Sequence, residues 1–436
     1  MIRSNTPPTW MQNTISIFLI LAAFPSSTLA EGAKSVDAQP ETVSNEDNRR
    51  ILKITWKEIV SLVDNHPKIA VGEDKTRAAK AAADAARAVP NPSIEASTAY
   101  SMARDSSASR LEWGLTLSIP LDWIGKRGPK IAAAEADVRV VDAELKELRM
   151  EVLLELRLLF WNLVYEQERV AALIALDSET MALAETVRQR VQKGESRPVE
   201  ATRVEIEAEK IAGELAMAES NLKTQSSRLG LWLGVGSDKQ LVAVADLETL
   251  PRSISSAAAH SKVRKTHPAI VAAEARIDVR SKNLSLERRA RVPGVNFQAF
   301  TDHELDRTAY GVGVALELPL WNWNSGNIRL AEALLAAGKN QLDADRIEIV
   351  SVVIEAESAC HAGVGLAIRY RDQILPRATK VARTIERTYE LGEAPLLDVI
   401  DARRTLLQTR KQFLAALVQA QTACSRLAIL AGEELP

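Results

Sequence analysis

The most constraining feature is a two-faced strand that feeds a helix far longer than globular proteins normally use. In Leu111-Glu112-Trp113-Gly114-Leu115-Thr116-Leu117-Ser118-Ile119-Pro120-Leu121 every odd position is apolar and every even one is polar, Gly or Pro. That is the period of a strand with one greasy face and one wet face. After Gly125-Lys126-Arg127-Gly128-Pro129 a helical pattern runs without Gly or Pro to Gly194. It covers about 65 residues, or roughly 100 Å at 1.5 Å per residue. Globular helices seldom exceed about 25 residues. Along it Val141, Leu145, Leu148, Val152, Leu156, Leu159 and Leu163 alternate steps of three and four, and Val141, Val152 and Leu163 are 11 residues apart. An 11-residue period predicts straight or slightly right-handed packing.

The chain does this twice. His267-Pro268 follows His66-Pro67 by 201 residues, Pro293 follows Pro92 by 201, Pro319 follows Pro120 by 199 and Gly392 follows Gly194 by 198. The run from Tyr310 to Leu320 alternates as the first one does, after a weaker strand at Val295-Asn296-Phe297-Gln298-Ala299. Agreement of so many breaks marks an internal duplication. The organisation expected is a first repeat over 51–236 (helix, strands within 92–123, long helix, tip near 194, return helix), a linker over 237–253, and a second repeat over 254–432 (helix, strands within 293–321, long helix, tip near 392, return helix). Gly338, Gly363, Gly365 and Pro376 are expected to interrupt the second long helix. Thr55 and Glu58 form a candidate capping box.

With 55 Lys+Arg against 57 Asp+Glu the chain lacks the basic excess of a nucleic-acid binder. Residues 1–30 read as a signal peptide, with the apolar run 15–24 and Thr28-Leu29-Ala30 as cleavage site, and 31–50 as a mobile arm. No Cys follows the apolar run to take a lipid, and no other segment is expected to approach a transmembrane helix. Cys360 and Cys424 fall in separate helical stretches; two small buried residues are expected, with a bridge between them as the alternative.

Four strands cannot close a barrel, and an open edge does not survive in a bilayer. If each strand has a lipid face, other copies must complete the sheet: three copies give twelve strands. A sheet packed against the helices of a soluble protein is the competing expectation. Trp113, Trp123, Trp321 and Trp323 sit in or just beyond the alternating runs, as an interfacial aromatic girdle would require or as core packing would.

Tyr389-Glu390-Leu391-Gly392-Glu393-Ala394-Pro395-Leu396-Leu397-Asp398-Val399-Ile400-Asp401-Ala402 resembles the second hairpin tip of the TolC-type outer-membrane efflux family. The resemblance extends over roughly 51–432. Ser118-Ile119-Pro120-Leu121 with Gly125-Lys126-Arg127, Ala132-Ala133-Ala134-Glu135-Ala136, and Pro319-Leu320-Trp321-Asn322 leading to Ser325-Gly326-Asn327-Ile328 are similar to its cobalt–zinc–cadmium resistance branch. The fold this implies is mainly α with a small β part: long helical hairpins in a trimeric helical barrel under a twelve-stranded outer-membrane β-barrel. It implies a homotrimer, a periplasmic adaptor (membrane fusion protein), an inner-membrane proton-driven pump and outer-membrane lipid as partners, and no enzyme activity or cofactor.

Asp398 and Asp401 lie three apart on one helical face, so three copies would stack two carboxylate rings, a cation-attracting constriction. Two solvated acids at a helix start are the plainer reading. The resemblance places Tyr389 where the family ties a closed gate to a carboxylate, here Glu200 by the repeat offset. Its second link, an arginine to a hydroxyl, meets Ala394 and Val199 instead, which implies an easier opening. Gly194 and Glu195, with Gly392 and Glu393, form tips an adaptor could meet, and each Gly also reads as a helix C-cap. Asp302, His303, Glu304 and Asp306 are weak metal candidates expected in the turn between the last two strands; His66 and His267 read as structural. No HExxH, Cys-rich spacing, GxSxG or phosphate loop is present. Two readings stay open: an outer-membrane exit duct, for metal or for drug or protein export, and a periplasmic helical scaffold or adaptor without a pore.

Overall fold

The computed structural model describes residues 51–102, 109–121, 123–236, 239–251, 263, 266–304, 307–318 and 320–432. The signal peptide, the N-terminal arm and Asp306 lie outside the described residues.

The order is β1 (Leu52–Ile54), α1 (Trp56–Leu62), α2 (Pro67–Arg87), β2 (Ser93–Met102), β3 (Ser109–Pro120), α3 (Arg127–Gln192), α4 (Pro198–Trp232), β4 (Leu241–Ala243), α5 (Pro268–Arg289), β5 (Gly294–His303), β6 (Thr308–Glu317), α6 (Ser325–Arg369), α7 (Leu375–Glu390) and α8 (Leu396–Leu430). Helix α3 has 66 residues, as its uninterrupted pattern required. Its counterpart is not broken at the glycines. A Cβ at Gly363 would meet the Ala420 backbone at 3.0 Å, so that glycine lets α6 and α8 approach. The break is a π-helical turn, Tyr370–Ile374, where the Leu375 N–H bonds the Tyr370 carbonyl. Proline has no N–H and crowds the carbonyl four residues back; the wider turn just before Pro376 accommodates both demands.

The strands form one antiparallel sheet in the order β2-β3-β5-β6. The register puts Ile94 opposite Leu117, Ile119 opposite Phe297 and Phe297 opposite Val314. All apolar residues of the alternating runs therefore share one face, and it is bare: Leu111 is 61 % exposed and Val312 73 %. The helices do not cover this face, which removes the soluble-sheet expectation.

Helix packing corrects the 11-residue reading. The buried positions of α3 include Val152, Leu156, Leu159, Leu163, Glu166, Val170, Leu173, Thr180, Ala184 and Val187. Those steps follow a seven-residue repeat, and Val204, Ile211 and Ala218 of α4 match it. A heptad seam winds left-handed; the earlier buried positions Ala133, Ala136, Val140 and Ala143 also step by three and four, so the longer period does not describe the buried face. The thickest core gathers Trp56, Ile59, Phe160, Trp161 and Leu417. Inside it Arg157 is buried, its guanidinium 4.4 Å from the Trp56 ring centroid and 5.1 Å from that of Trp161. Its Nε donates to Ser425 Oγ at 3.1 Å. Burial pushes its pKa down to about 10.

Three features escape the sequence pattern. β1 and β4 pair in parallel, Leu52 opposite Leu241, under the core. Cys360 and Cys424 are buried, as expected of small helix residues, and also bridged, joining α6 to α8 with Cα atoms 4.6 Å apart. Residues Ser325–Glu390 and Leu396–Leu430 each contain a window apolar enough to cross a membrane by composition, contrary to expectation. The window in the second is 61 % buried within this chain, because Ala- and Leu-rich seams that pack hairpin arms resemble membrane spans in composition.

His66 and His267 prove structural in a specific way. Each caps the helix that follows: His66 Nδ1 accepts the Lys68 N–H at 3.1 Å, and His267 Nδ1 the Ala269 N–H at 3.3 Å. Only a neutral imidazole can accept. Burial holds both below the usual imidazole value, aided at His66 by Lys68. A lowered value means their contribution is complete above about pH 6.5 and is lost as pH falls below it. The melting temperature of the wild type should therefore fall further between neutral and mildly acid buffer than that of a His66→Asn, His267→Asn variant, whose caps do not titrate. Equal slopes would remove the caps from the acid response. Reducing the disulfide, whose cysteines are 64 residues apart, should cost about 4 kcal/mol by loop-closure entropy, read as a lower melting temperature in reductant that a Cys360→Ser, Cys424→Ser variant does not show.

Candidate gate at the hairpin tips

Two helix ends define the far end of the hairpins. Helix α3 stops at Gly194 with φ +76° and α7 at Gly392 with φ +80°. At each, two hydrogen bonds close the last turn: Glu195 N–H to Arg190 O at 2.9 Å with Gly194 N–H to Val191 O at 3.0 Å, and Glu393 N–H to Thr388 O at 2.9 Å with Gly392 N–H to Tyr389 O at 3.0 Å. This is the Schellman ending. A Cβ at either glycine would meet nothing, so the left-handed backbone, and not crowding, requires Gly. Pro198 and Leu396 then start the return helices α4 and α8.

The two tips pack on each other through Ala184, Val187, Val204, Tyr389, Leu396, Val399 and Ile400. Ions surround this small cluster. Arg403 Nε reaches Glu386 at 2.6 Å and its Nη1 the Glu179 carbonyl at 3.1 Å. Arg404 makes a two-pronged pair with Glu207 at 3.1 and 2.7 Å, and Lys411 pairs with Glu214. The Arg404 hydrogen bond holds the Glu207 carboxyl below its ordinary value.

Asp398 and Asp401 are both exposed on the first turns of α8. Asp401 has only a 3.9 Å approach from Arg404 of the next turn. The structure brings them onto one solvent face, as their spacing demands. It does not form the expected link from Tyr389 to Glu200. Tyr389 is buried beneath the Arg190 guanidinium, 4.9 Å from the ring centroid, and its hydroxyl has no hydrogen-bond partner. Glu200 is taken by Arg197 at 3.4 Å. A tyrosine that packs as a core residue turns its ring inward, and no periodicity reveals where the hydroxyl ends.

The metal candidates are dispersed. Asp302 and His303 lie in β5, not in the turn, and so point to opposite faces. His303 stacks on Trp113 and its Nδ1 meets Thr308 Oγ1 at 2.8 Å, while Glu304 pairs with Arg307 at 2.8 Å. Among the described residues no group of three His, Cys, Asp or Glu could hold a metal ion.

A sheet whose bare apolar face stands on helical hairpins of about 100 Å defines the outer-membrane channel class of efflux proteins. The chain belongs to the outer membrane efflux protein family, which it matches over residues 59–235 and 259–433. It is 27% identical to the cobalt-zinc-cadmium resistance protein CzcC of Cupriavidus metallidurans over 80% of this chain and 82% of that protein. Among solved structures it resembles a membrane protein from Pseudomonas aeruginosa (TM-score 0.77, 18% identity, 86% of this chain and 92% of that one) and the channel CusC (TM-score 0.74, 18% identity, 87% and 92%). It is an efflux channel protein and not an enzyme.

Because the Tyr389 hydroxyl is buried and unpaired, Tyr389→Phe should leave thermal stability unchanged or raise it by about 1 kcal/mol, since removing an unsatisfied buried hydroxyl removes a desolvation cost. A loss of more than that in a melting experiment would reveal a partner for the hydroxyl.

Proposed function

We propose that the chain is the outer-membrane exit duct of a tripartite efflux system for divalent metal cations, working as a homotrimer. The observation that carries this reading is the four-stranded sheet with a bare apolar face and two unpaired edges, β2 and β6. Ten-residue strands extend about 34 Å and, tilted by about 40°, match an apolar band roughly 25 Å tall. Tyr100, Trp113 and Tyr310 sit toward one end of that face, and Trp123, Trp321 and Trp323 just past the other. Two such rows suit the two membrane interfaces. Pairing β6 of one copy with β2 of the next gives a closed twelve-stranded barrel after three copies. The metal cargo rests on the likeness to the cobalt-zinc-cadmium resistance protein. The tips at Gly194–Glu195 and Gly392–Glu393 are the docking points for a periplasmic adaptor, and an inner-membrane proton-driven pump supplies the energy. A cleaved signal peptide delivers the chain.

Asp398 and Asp401 form the constriction. In three copies they make two stacked carboxylate rings that concentrate cations at the entrance. Tyr389 supports the tip by packing and Glu200 through Arg197, rather than by bonding each other.

Planar-bilayer conductance with a trivalent cation added on one side tests this. Wild type should conduct in discrete steps and be blocked from the tip side; Asp398→Asn with Asp401→Asn should conduct with block weakened at least tenfold. Conductance with undiminished block would move the constriction elsewhere, and no conductance, even with tip contacts loosened by Arg403→Ala, would favour a scaffold without a pore.

A further inference from the structure

At the end of the sheet where the helices begin, three guanidinium groups gather, and the Glu287 carboxylate near them accepts from Asn324 Nδ2 at 2.7 Å. Arg127 opens α3 just beyond β3, Arg289 ends α5, and Arg291 precedes β5. Each spends one N–H on a backbone carbonyl: Arg127 Nη2 on Arg87 O at 2.6 Å, Arg289 Nη1 on Gly125 O at 2.8 Å, and Arg291 Nε on Trp323 O at 3.1 Å. Those bonds lace the four connections at this end of the sheet together. Neighbouring cations are neutralised, Arg87 by Asp84 and Glu135 and Arg288 by Glu332. Arg127, Arg289 and Arg291 make no ion pair among the described residues, and the Arg127 Nε is buried with no hydrogen-bond partner at all. Arg127 also lies over the Trp123 ring, 5.8 Å from its centroid.

The same belt carries exposed apolar side chains. Trp321 is 93 % exposed, and Ile124, Val292, Leu320 and Trp323 are all exposed beside it. Three unneutralised cations with indoles at the boundary between an apolar face and a wet one match a phospholipid headgroup in both charge and position. Guanidinium forks fit phosphate oxygens, and fixed backbone bonds hold them in place beforehand.

We propose that Arg127, Arg289 and Arg291, with Trp321 and Trp323, bind the phosphate of an anionic phospholipid of the periplasm-facing leaflet, and so fix the depth of the sheet in the membrane. The proposal rests on the reading that the sheet spans the outer membrane. It gives the chain a noncovalent anchor in the leaflet nearest its helices.

Native mass spectrometry of the full-length protein in detergent, titrated with phosphatidylglycerol or with phosphatidylcholine of the same chains, tests it. Wild type should retain phosphatidylglycerol on the order of a hundredfold more strongly, from roughly 1 kcal/mol for each of the three basic residues near a charged headgroup. Arg127→Gln, Arg289→Gln, Arg291→Gln together should bring the ratio near one, while Arg383→Gln with Arg387→Gln, on α7 at the other end of the chain, should not change it. Equal retention of the two lipids by wild type, or an unchanged ratio in the triple variant, overturns the proposal. So does loss of the preference in excess inorganic phosphate, which would make the belt a simple anion site. Conductance in phosphatidylcholine bilayers judges the exit-duct reading separately. A conducting wild type with no lipid preference sinks only the anchor, and a protein that enters no bilayer sinks both.

Discussion

Unpaired backbone at the edges of β2 and β6 governs the architecture. Their outward faces are apolar, so these strands belong in lipid, where each unsatisfied N–H or C=O costs several kcal/mol. Four strands are too few to close on themselves. The duplication supplies a solution. β2 corresponds to β5 and β3 to β6, so the β3–β5 pairing that joins the two halves within one chain is also the template for β6 meeting β2 of the next copy. One junction, used repeatedly, suffices to close the proposed barrel, and the helices beneath inherit the same neighbour relations.

Helices of this length cannot share one thick core, and their stability comes from narrow heptad seams with ions along the flanks. The tip region shows how two similar halves keep register. Arg404 meets Glu207 and Lys411 meets Glu214, each pair 197 residues apart, so both join nearly equivalent positions of α8 and α4. Had the halves stayed identical, like charges would face each other there. Acid on the first half and base on the second make the halves attract each other and penalise a one-turn slip. Higher up, where more chain converges, Arg157 among aromatic rings and the Cys360–Cys424 bridge add fixed points.

What the sequence makes legible follows from what is periodic. Alternation in 111–121 and 310–320 foretold both the strands and their bare face, and the breaks at Pro92, Gly194, Pro293 and Gly392 fall where helices end. Features that depend on contacts between distant segments left no periodic trace. β1 and β4 are three residues each and gain their pairing only across the chain. The disulfide joins two helix positions that look like ordinary small core residues. Gly363 reads locally as a helix breaker, yet serves a close crossing with Ala420. The 11-residue period joined Val141, Val152 and Leu163, and Val141 is not among the buried positions of α3. At the tips the residues were legible and one of their bonds was not: the aspartates share their face because spacing alone puts them there, whereas the Tyr389 hydroxyl goes where packing sends its ring.

That buried hydroxyl changes how a closed tip has to be understood. With Tyr389 not bonded to Glu200, and with Ala394 and Val199 unable to form a second polar link, closure within one chain rests on the cluster around Val187, Val204 and Val399 and on solvent-facing ion pairs. Surface pairs contribute about 0–1 kcal/mol each, so the apolar cluster supplies most of the resistance. It has seven buried members, and burying a Val or Leu fully is worth about 1.5–3 kcal/mol. Prying the two hairpins apart therefore exposes a limited apolar area and leaves both Schellman turns intact, because neither turn bonds to the other hairpin. An adaptor that offers the exposed tips a comparable apolar surface would replace what opening removes. In the proposed duct the gate would then be poised between partners of similar strength, and the carboxylates of Asp398 and Asp401, which are exposed and take no part in the packing, would be free to face passing cations.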